Sequence, residues 1–353
     1  MLEAIRGAAT FLREKQVLHK LGVLISIAVI AIACYVLYHM LRGIDTYEVL
    51  EAIKSTEPHQ IALAALFVAA GYFTLTFYDL FAVRTIGHDH VPYRVNALAA
   101  FTSYSIGHNI GATVFTGGAI RFRIYSDYGL SAIDVAKICF LSGLTFWLGN
   151  LFVLGIGMTL HPAAASSMDQ LPPAVNQLIA IGILGAIFAY LGWLAAGKNR
   201  RQLGQNGWKV VLPSAQLTLV QILIGVVDLG FCALAMYLLV PSNPPIDFLS
   251  LSVVFILATL LGFASHSPGG LGVFDAAMLV GLWQMDREEL LAGMLLFRML
   301  YYLAPFLISV ILLTFREVII SARSKRLRQA ALSLDPSPPP EAAYVRKRSD
   351  SGA

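Results

Sequence analysis

The stretch TVFTGGAIRFRIYSDYGLSAID, which ends at residue 134, combines residue types that bind phosphate groups. A guanidinium group can donate two parallel hydrogen bonds to phosphate oxygens, and glycine lets backbone N–H groups approach an anion closely. Tyrosine is enriched where a membrane meets water. The stretch therefore predicts a phospholipid headgroup site, although simple anchoring of a cytoplasmic loop also explains its arginines. The candidate residues are Gly117, Gly118, Arg121, Arg123 and Tyr125.

A second glycine-rich stretch, SHSPGGLGVFD, supplies a further group of candidate substrate-binding residues. Its adjacent Ser265 and His266 do not by themselves indicate a hydrolase, because a catalytic triad depends on the fold and the G-x-S-x-G elbow is absent from this sequence. No phosphate-binding loop of the ATPase type occurs either. The candidate residues here are His266, Pro268, Gly269, Gly270 and Asp275.

Polar residues inside apolar segments form the third candidate group, His108, Asn109, Asp228 and Arg298. An ionisable residue within a membrane span is costly and is a functional candidate by default. Asp228 and Arg298 either form a buried ion pair that joins two helices or line a polar cavity that passes a lipid headgroup. Asp79 lies near the end of its apolar segment, where we expect it to face water.

The three cysteines of the chain all fall within apolar runs, and there is no CxxC motif or Cys/His cluster. Disulfides, a zinc site and other metal sites are therefore not expected, and no cofactor is predicted.

The composition of the chain indicates which kind of secondary structure positions these candidate residues. The sequence has 353 residues, of which 57% are hydrophobic and only 13% charged, with a mean hydropathy of +0.71. Such a chain is typical of a polytopic α-helical membrane protein, and its continuous apolar runs argue against a β-barrel. Its first apolar run lacks a cleavage site and is expected to be a retained span rather than a signal peptide.

Six apolar segments approach the ~20 residues that cross a bilayer. They are residues 21–39, 61–82, 132–158, 174–196, 213–239 and 290–316. Two further apolar stretches, at about 96–118 and 248–268, are interrupted by Gly, Ser, His and Asn. We predict that both are Gly-rich re-entrant hairpins, which gives eight membrane segments in all. A rival arrangement makes residues 248–266 and 268–285 two ordinary spans.

The distribution of basic residues predicts the orientation. Residues 1–20 and 197–212 each contain four Lys or Arg, and the tail after residue 316 is also basic, whereas 159–173 and 241–247 contain none. The positive-inside rule therefore places both termini in the cytoplasm. By the same rule the Arg-bearing loops 83–95 and 119–131 are both cytoplasmic, so the stretch between them enters and leaves on one side.

The chain also repeats itself at a shift of 152 residues. The shift aligns the two glycine pairs, as well as the apolar segments 61–82 and 213–234. Since the two units begin on opposite sides, they predict an inverted-topology repeat with halves at about 61–158 and 213–316. The expected organisation is an amphipathic cytoplasmic N-terminus (1–20), one transmembrane domain (21–328) and a disordered cytoplasmic tail (329–353).

Three stretches, GGAIRFRIYSDYGLS, FLSGLTFWLGN and SPGGLGVFD, together resemble the transmembrane flippase region of the lysylphosphatidylglycerol synthase/flippase family, the multiple peptide resistance factors. The resemblance covers about residues 15–325 and extends to stand-alone inner-membrane relatives. It implies a lipid-translocating unit of eight segments. It also assigns Gly117, Gly118, Arg121, Arg123 and Tyr125 to a first motif, and Pro268, Gly269, Gly270 and Gly272 to a second.

This chain departs from that family in two ways. Relatives often have Glu where this chain has Asp275, which is one methylene shorter. Bifunctional relatives also carry a soluble acyltransferase-like domain that aminoacylates the lipid, whereas here the chain stops about 35 residues after its last span. We therefore expect no synthase domain and no enzymatic activity.

The resulting hypothesis is a flippase-like translocator in the cell inner membrane, which moves a phospholipid or a modified lipid between leaflets. The expected partner is a membrane lipid, either anionic or aminoacylated, with no nucleic acid; a homo-oligomer or a separate lipid-modifying enzyme is a further partner to consider. The alternative function is a non-transporting scaffold for such an enzyme. An intramembrane enzyme is disfavoured because no nucleophile–base arrangement is present.

Overall fold

A computed structural model describes residues 51, 54–111, 113–197, 201–204, 209–240, 244–264 and 268–334. The predicted N-terminal segment 1–20, the apolar segment 21–39 and candidate residue His266 lie outside these described residues.

Five helices in this part of the chain are long and apolar enough to cross a membrane. They are α1 (Pro58–Thr85), α4 (Ala132–Leu160), α6 (Pro173–Ala195), α7 (Ala215–Leu239) and a continuous helix from Arg287 to Ile320. They coincide with five of the six predicted spans, and the sixth lies outside the described residues. The chain is an α-helical, multi-pass membrane protein.

Local sequence signals fix where several of these helices begin. Ser131 and Asp134 form a capping box at the start of α4, because each side chain bonds the backbone N–H of the other. Ser214 caps α7 through the N–H of Leu217, and Asp286 caps the helix that follows it.

Two pairs of shorter helices accompany the long ones. The first pair is α2 (Tyr93–Ile110) and α3 (Thr113–Tyr125), and the second is α8 (Phe248–Ala264) and α9 (Val273–Gly281). Within each pair the helices pack against each other. With 13 and 9 residues, α3 and α9 rise only about 20 and 14 Å, which is less than the ~30 Å thickness of the hydrocarbon core.

The remaining elements are short or continue the last helix. Helix α5 (Pro162–Asp169) follows α4, and strands β1 (Gln202–Leu203) and β2 (Val210–Val211) pair in antiparallel fashion in the basic loop. After α10 (Arg287–Arg298), a π-helical turn at Met299–Leu303 leads into α11 (Ala304–Leu334). The helix thus extends beyond the expected tail boundary at residue 328, and residues 335–353 lie outside the described part.

The described part of the chain divides into two units between residues 307 and 308, and the second contains the greater part of α11. The core of the first unit is built around α7, which packs against α1 and α4. Helices α4 and α7 cross where Gly149 meets Gly225, and a Cβ atom added at Gly149 would lie 2.7 Å from the Cα of Gly225. Small residues allow membrane helices to approach this closely.

The two short-helix pairs are attached to opposite ends of α4, whose 29 residues extend over about 43 Å. At its start, His88 lies 3.7 Å from Asp134, and Nε2 of His90 lies 3.1 Å from the carbonyl oxygen of Tyr128. The chain before α2 and the chain after α3 therefore meet there.

The other end of α4 holds both ends of the second pair. His161, which follows α4, lies 3.8 Å from Asp247 at the start of α8. The Ser167 hydroxyl on α5 donates to the carbonyl of Gly281, at the end of α9, over 3.1 Å. The α8–α9 pair thus begins and ends beside α5.

Candidate functional site

Arg121 lies in a buried ion pair rather than in an exposed loop. Its Nε and Nη2 atoms donate to the two carboxylate oxygens of Asp79, each over 2.8 Å. The arginine is 4% exposed and Asp79 is fully buried. Hydroxyl groups of Tyr125 and Ser142 also donate to Asp79, over 3.0 and 3.3 Å. The expectation that Asp79 faces water is therefore wrong.

Helical periodicity explains why Arg121 and Tyr125 turn inward together. Helix α3 continues to Tyr125, through a region predicted as loop, and residues four apart share one face of a helix. Arg123 projects from a different face and is exposed. Of the two arginines predicted to bind phosphate, Arg121 therefore already uses two of its three guanidinium nitrogens on Asp79.

The first glycine pair does not form an anion-binding loop. Gly117 and Gly118 lie inside α3, where backbone N–H groups beyond the first turn bond to the preceding turn. A Cβ atom added at Gly117 would lie 3.3 Å from the carbonyl oxygen of Ser103 and 3.2 Å from Nη1 of Arg121. The prediction of backbone donors here is wrong, and Gly117 instead leaves room for the guanidinium and for close packing against α2.

A cavity of about 300 Å³ adjoins Arg121, between the two short-helix pairs and α4. Its inner wall includes Arg121, and its outer wall includes Phe115 and Trp147, which are 81% and 48% exposed. The cavity therefore joins a buried cation to the apolar surface of the protein. Of the predicted site residues that the structure describes, four line it, namely His108, Arg121, Gly269 and Gly270.

The ends of α2 and α8 meet beside this cavity. The His108 ring lies 5.6 Å from that of Phe263 and 6.2 Å from that of Tyr301, centroid to centroid. The Asn109 side-chain amide donates to the carbonyl of Tyr302 over 3.0 Å. This bond attaches the end of α2 to the π-helical turn, whose irregular backbone frees carbonyl groups for side-chain donors.

Arg298 pairs with Asp275 and not with Asp228. Its Nη2 atom lies 2.8 Å from each Asp275 carboxylate oxygen, and its Nη1 donates to the carbonyl of Gly269 over 3.0 Å. Gly269 and Gly270 have φ angles of +60° and +66°, which favour glycine. The pair thus holds the turn that begins at Pro268 against α10.

Asp228 accepts instead from the Tyr78 hydroxyl over 3.2 Å, and the Thr74 hydroxyl lies 3.4 Å from its other oxygen. The expected ion pair between Asp228 and Arg298 is therefore wrong. Neither residue is among those that line the cavity described above, and their place beside another polar path stays a prediction. Asp228 and Arg298 each bond to a residue on a neighbouring helix, and the spacing of residues in the sequence does not reveal these contacts.

Sequence reasoning missed several residues around Arg121. The Tyr104 ring lies 4.8 Å from the guanidinium carbon, and the Ser142 hydroxyl donates to Asp79. The signal in the sequence that could have indicated this cluster was the acidic residue Asp79 within an apolar segment. Among the described residues, no group of three His, Cys, Asp or Glu side chains could hold a metal ion.

Comparisons with known proteins agree with this architecture. The chain matches the family model described as "Lysylphosphatidylglycerol synthase TM region" over residues 22–309. It is 28% identical over 291 residues to inner membrane protein YbhN of Escherichia coli K12, covering 81% of this chain and 88% of YbhN. It is also 28% identical over 258 residues to the uncharacterized protein slr0712 of Synechocystis, covering 73% and 79%.

A third relative is much longer than this chain. The match to phosphatidylglycerol lysyltransferase of Staphylococcus aureus MRSA252 has 26% identity over 297 residues and covers 79% of this chain but 32% of that protein. The family model covers most of the described helices. The chain therefore belongs to the lysylphosphatidylglycerol synthase transmembrane-region family.

Proposed function

We propose that this protein is a flippase-like translocator that moves a phospholipid or a modified lipid between leaflets of the inner membrane. The observation that carries the proposal is the cavity at Arg121, which joins a buried guanidinium to an apolar, exposed rim. A lipid has the matching chemistry, because its charged headgroup and its acyl chains require opposite environments.

The cavity separates those two environments. Phe115 and Trp147 form an apolar rim, where acyl chains remain among bilayer lipids. Arg121 and His108 lie on the inner wall, where the headgroup enters. An uncompensated charge in hydrocarbon costs roughly 2.5 kcal/mol or more, so a shielded polar path accelerates headgroup crossing.

The Arg121–Asp79 pair keeps a phosphate-binding group inside the membrane. Asp79 neutralises the charge of the guanidinium, and this makes burial of the Arg121 side chain tolerable. The carboxylate accepts hydrogen bonds from Nε and Nη2 of Arg121. The third nitrogen, Nη1, lies beside Gly117 and is the atom we assign to the lipid phosphate. The Staphylococcus relative is named for phosphatidylglycerol, which supports an anionic or aminoacylated phospholipid as the substrate class.

We further propose that α2–α3 and α8–α9 are re-entrant hairpins related by an inverted repeat, within eight membrane segments. Their attachment to opposite ends of α4 supports this. In this proposal the start of α4, both termini and the tail lie in the cytoplasm, as the positive-inside rule predicts from the basic residues. Residues 21–328 then form the transmembrane domain, with lipid partners reached from both leaflets and no catalytic step required.

Cysteine labelling in a cysteine-free background tests this topology. We expect Asp89→Cys and Asp127→Cys to react from the cytoplasmic side, because their loops meet at the start of α4. Gln170→Cys and Trp283→Cys should react from the opposite side, since both border the cleft beside α5. Labelling of residues 89 and 127 from different sides would remove the first hairpin and the inverted repeat.

Filling the cavity tests the transport function. Gly143 lines the cavity, and an added Cβ meets no atom within 4 Å. We expect Gly143→Trp to reduce lipid translocation by about tenfold or more, equivalent to ~1.4 kcal/mol in the crossing barrier, because the indole occupies the headgroup site. The measurement is headgroup accessibility to a membrane-impermeant reagent in reconstituted liposomes.

Gly182→Trp is the matched control. Gly182 is exposed on α6, has the same open space and does not line the cavity, so transport should match wild type. Equal transport by Gly143→Trp and wild type would contradict the proposal. Lipid binding by the wild-type protein without any translocation would favour the scaffold alternative instead.

A further inference from the structure

Asp228 is a buried carboxyl group that the transport site does not use. It lies near the middle of α7 and is 4% exposed. The Tyr78 hydroxyl donates to its Oδ2 over 3.2 Å. The Thr74 hydroxyl lies 3.4 Å from its Oδ1 but makes a shorter bond, 2.6 Å, to the carbonyl of Gly71. Asp228 therefore has one firm hydrogen-bond donor.

The contrast with Asp79 shows what Asp228 lacks. Both carboxyl groups are buried, but Asp79 receives two bonds from Arg121 and two from hydroxyl groups. Within the part of the chain that the structure describes, no Lys, Arg or His side chain pairs with Asp228. An ionised carboxylate without a cation is strongly disfavoured in an apolar interior, whereas the protonated acid is not.

The groups that face Asp228 do not change this balance. They are Tyr72 and Tyr78 of α1, Cys232 one turn along α7, and Tyr301 of the π-helical turn. Phenols and thiols are ordinarily neutral at neutral pH. Among the described residues, α4, α6, α8 and α10 bring no Lys, Arg, His, Asp or Glu side chain against Asp228.

A short series of side chains links Asp228 to the cavity. Tyr78, its hydrogen-bond donor, directly precedes Asp79 on α1. The Tyr78 ring meets the Tyr104 ring edge to face, with centroids 6.0 Å apart, and Tyr104 lies under the guanidinium of Arg121. A negative charge at Asp228 would thus strengthen its hydrogen bond from Tyr78 and act through Tyr78 and Tyr104 on the Arg121–Asp79 pair.

We propose that Asp228 is a proton-binding site whose proton release is coupled to the state of the Arg121–Asp79 pair. The ligand is a proton exchanged with water, and no bond other than O–H forms or breaks. This inference goes beyond the proposed lipid transport, because it assigns an ion whose gradient can drive the cycle.

Infrared difference spectroscopy of the purified protein tests the proton site without any transport assay. We expect a protonated-carboxyl band at neutral pH that is lost in Asp228→Asn and retained in Asp89→Asn, where an exposed carboxyl is removed. Absence of the band from wild type, or its persistence in Asp228→Asn, would overturn the assignment. If Asp228→Asn does not fold, Asp228→Glu must shift the band, and an unchanged band overturns it equally.

Transport in liposomes with an imposed pH gradient tests the coupling. We expect the wild-type rate to change by up to about tenfold per pH unit, the limit for one titrating group, and Asp228→Asn to transport lipid at a rate independent of the gradient. The same gradient dependence in Asp228→Asn would overturn the coupling. If wild type moves no lipid at all, the proposed transport fails, and the infrared result alone decides the proton site.

Discussion

Asp79→Asn is expected to lower the free energy of unfolding of the detergent-solubilised protein by about 3–5 kcal/mol, the largest effect of any single substitution considered. The carboxylate is fully buried and receives bonds from Arg121, Tyr125 and Ser142. Removing its charge leaves the Arg121 guanidinium buried without a counterion. This uncompensated buried charge is the main free-energy cost of breaking a buried ion pair.

A double-mutant cycle isolates this pair. Asp79→Asn, Arg121→Gln and the combined variant are unfolded by titration with a denaturing detergent, and the combination should be less destabilised than the sum of the single variants. Arg123→Gln, two residues along α3 and exposed, is the control and should change stability by less than about 0.5 kcal/mol. Additive effects of the two single substitutions would show that the ion pair is not coupled.

The same variants separate stability from transport at the two arginines. Arg121→Gln should stop lipid movement even where the folded fraction is matched to wild type, because it removes the nitrogen assigned to phosphate. Arg123→Gln should transport at the wild-type rate. If both variants transport normally, the arginines serve only in packing and anchoring.

Gly225→Ala is expected to destabilise the protein by about 1–3 kcal/mol, the usual cost of overpacking a close helix contact. An added Cβ atom would lie 2.8 Å from the Cα of Gly149, where backbone rather than a flexible side chain must move. The helices α4 and α7 would separate, and Ser142 on α4 would move away from Asp228 on α7. Thermal unfolding followed by size-exclusion chromatography measures the effect.

Gly230→Ala provides a control on the same helix. An added Cβ atom at Gly230 meets nothing within 4 Å, and alanine favours helix over glycine, so stability should be unchanged or slightly higher. Equal melting temperatures for Gly225→Ala and Gly230→Ala would mean that the α4–α7 contact adjusts without cost. A large loss for the first and none for the second confirms that the crossing depends on glycine at that position.

The sequence by itself determined the class of protein and the positions of its long helices. The free energy of transferring an apolar run from water to hydrocarbon is a sum over its individual residues, so it depends on the local sequence alone. For this reason five of the expected spans coincide with helices. The motifs with their glycine pairs were sufficient to indicate the family. Gly and polar residues interrupt two apolar stretches of the sequence, and the structure has a pair of shorter helices in each region. That these pairs are re-entrant hairpins stays a prediction.

The sequence could not reveal the direction in which Arg121 points. Charge alone suggests an exposed loop, and only a partner on another helix makes burial of a guanidinium tolerable. That partner, Asp79, lies 42 residues earlier in the chain. Once α3 continues to Tyr125, its periodicity turns Arg121 inward and Arg123 outward.

The choice of ion pairs was decided entirely by the tertiary structure. A buried arginine requires an acid, and the sequence suggested Asp228 as the partner of Arg298, whereas packing of α9 beside α10 brings Arg298 to Asp275. Asp228, on α7 against α1, is left with hydroxyl donors. Pairing energies fall steeply with distance in a low-dielectric interior, so they depend on helix packing, which sequence spacing does not specify.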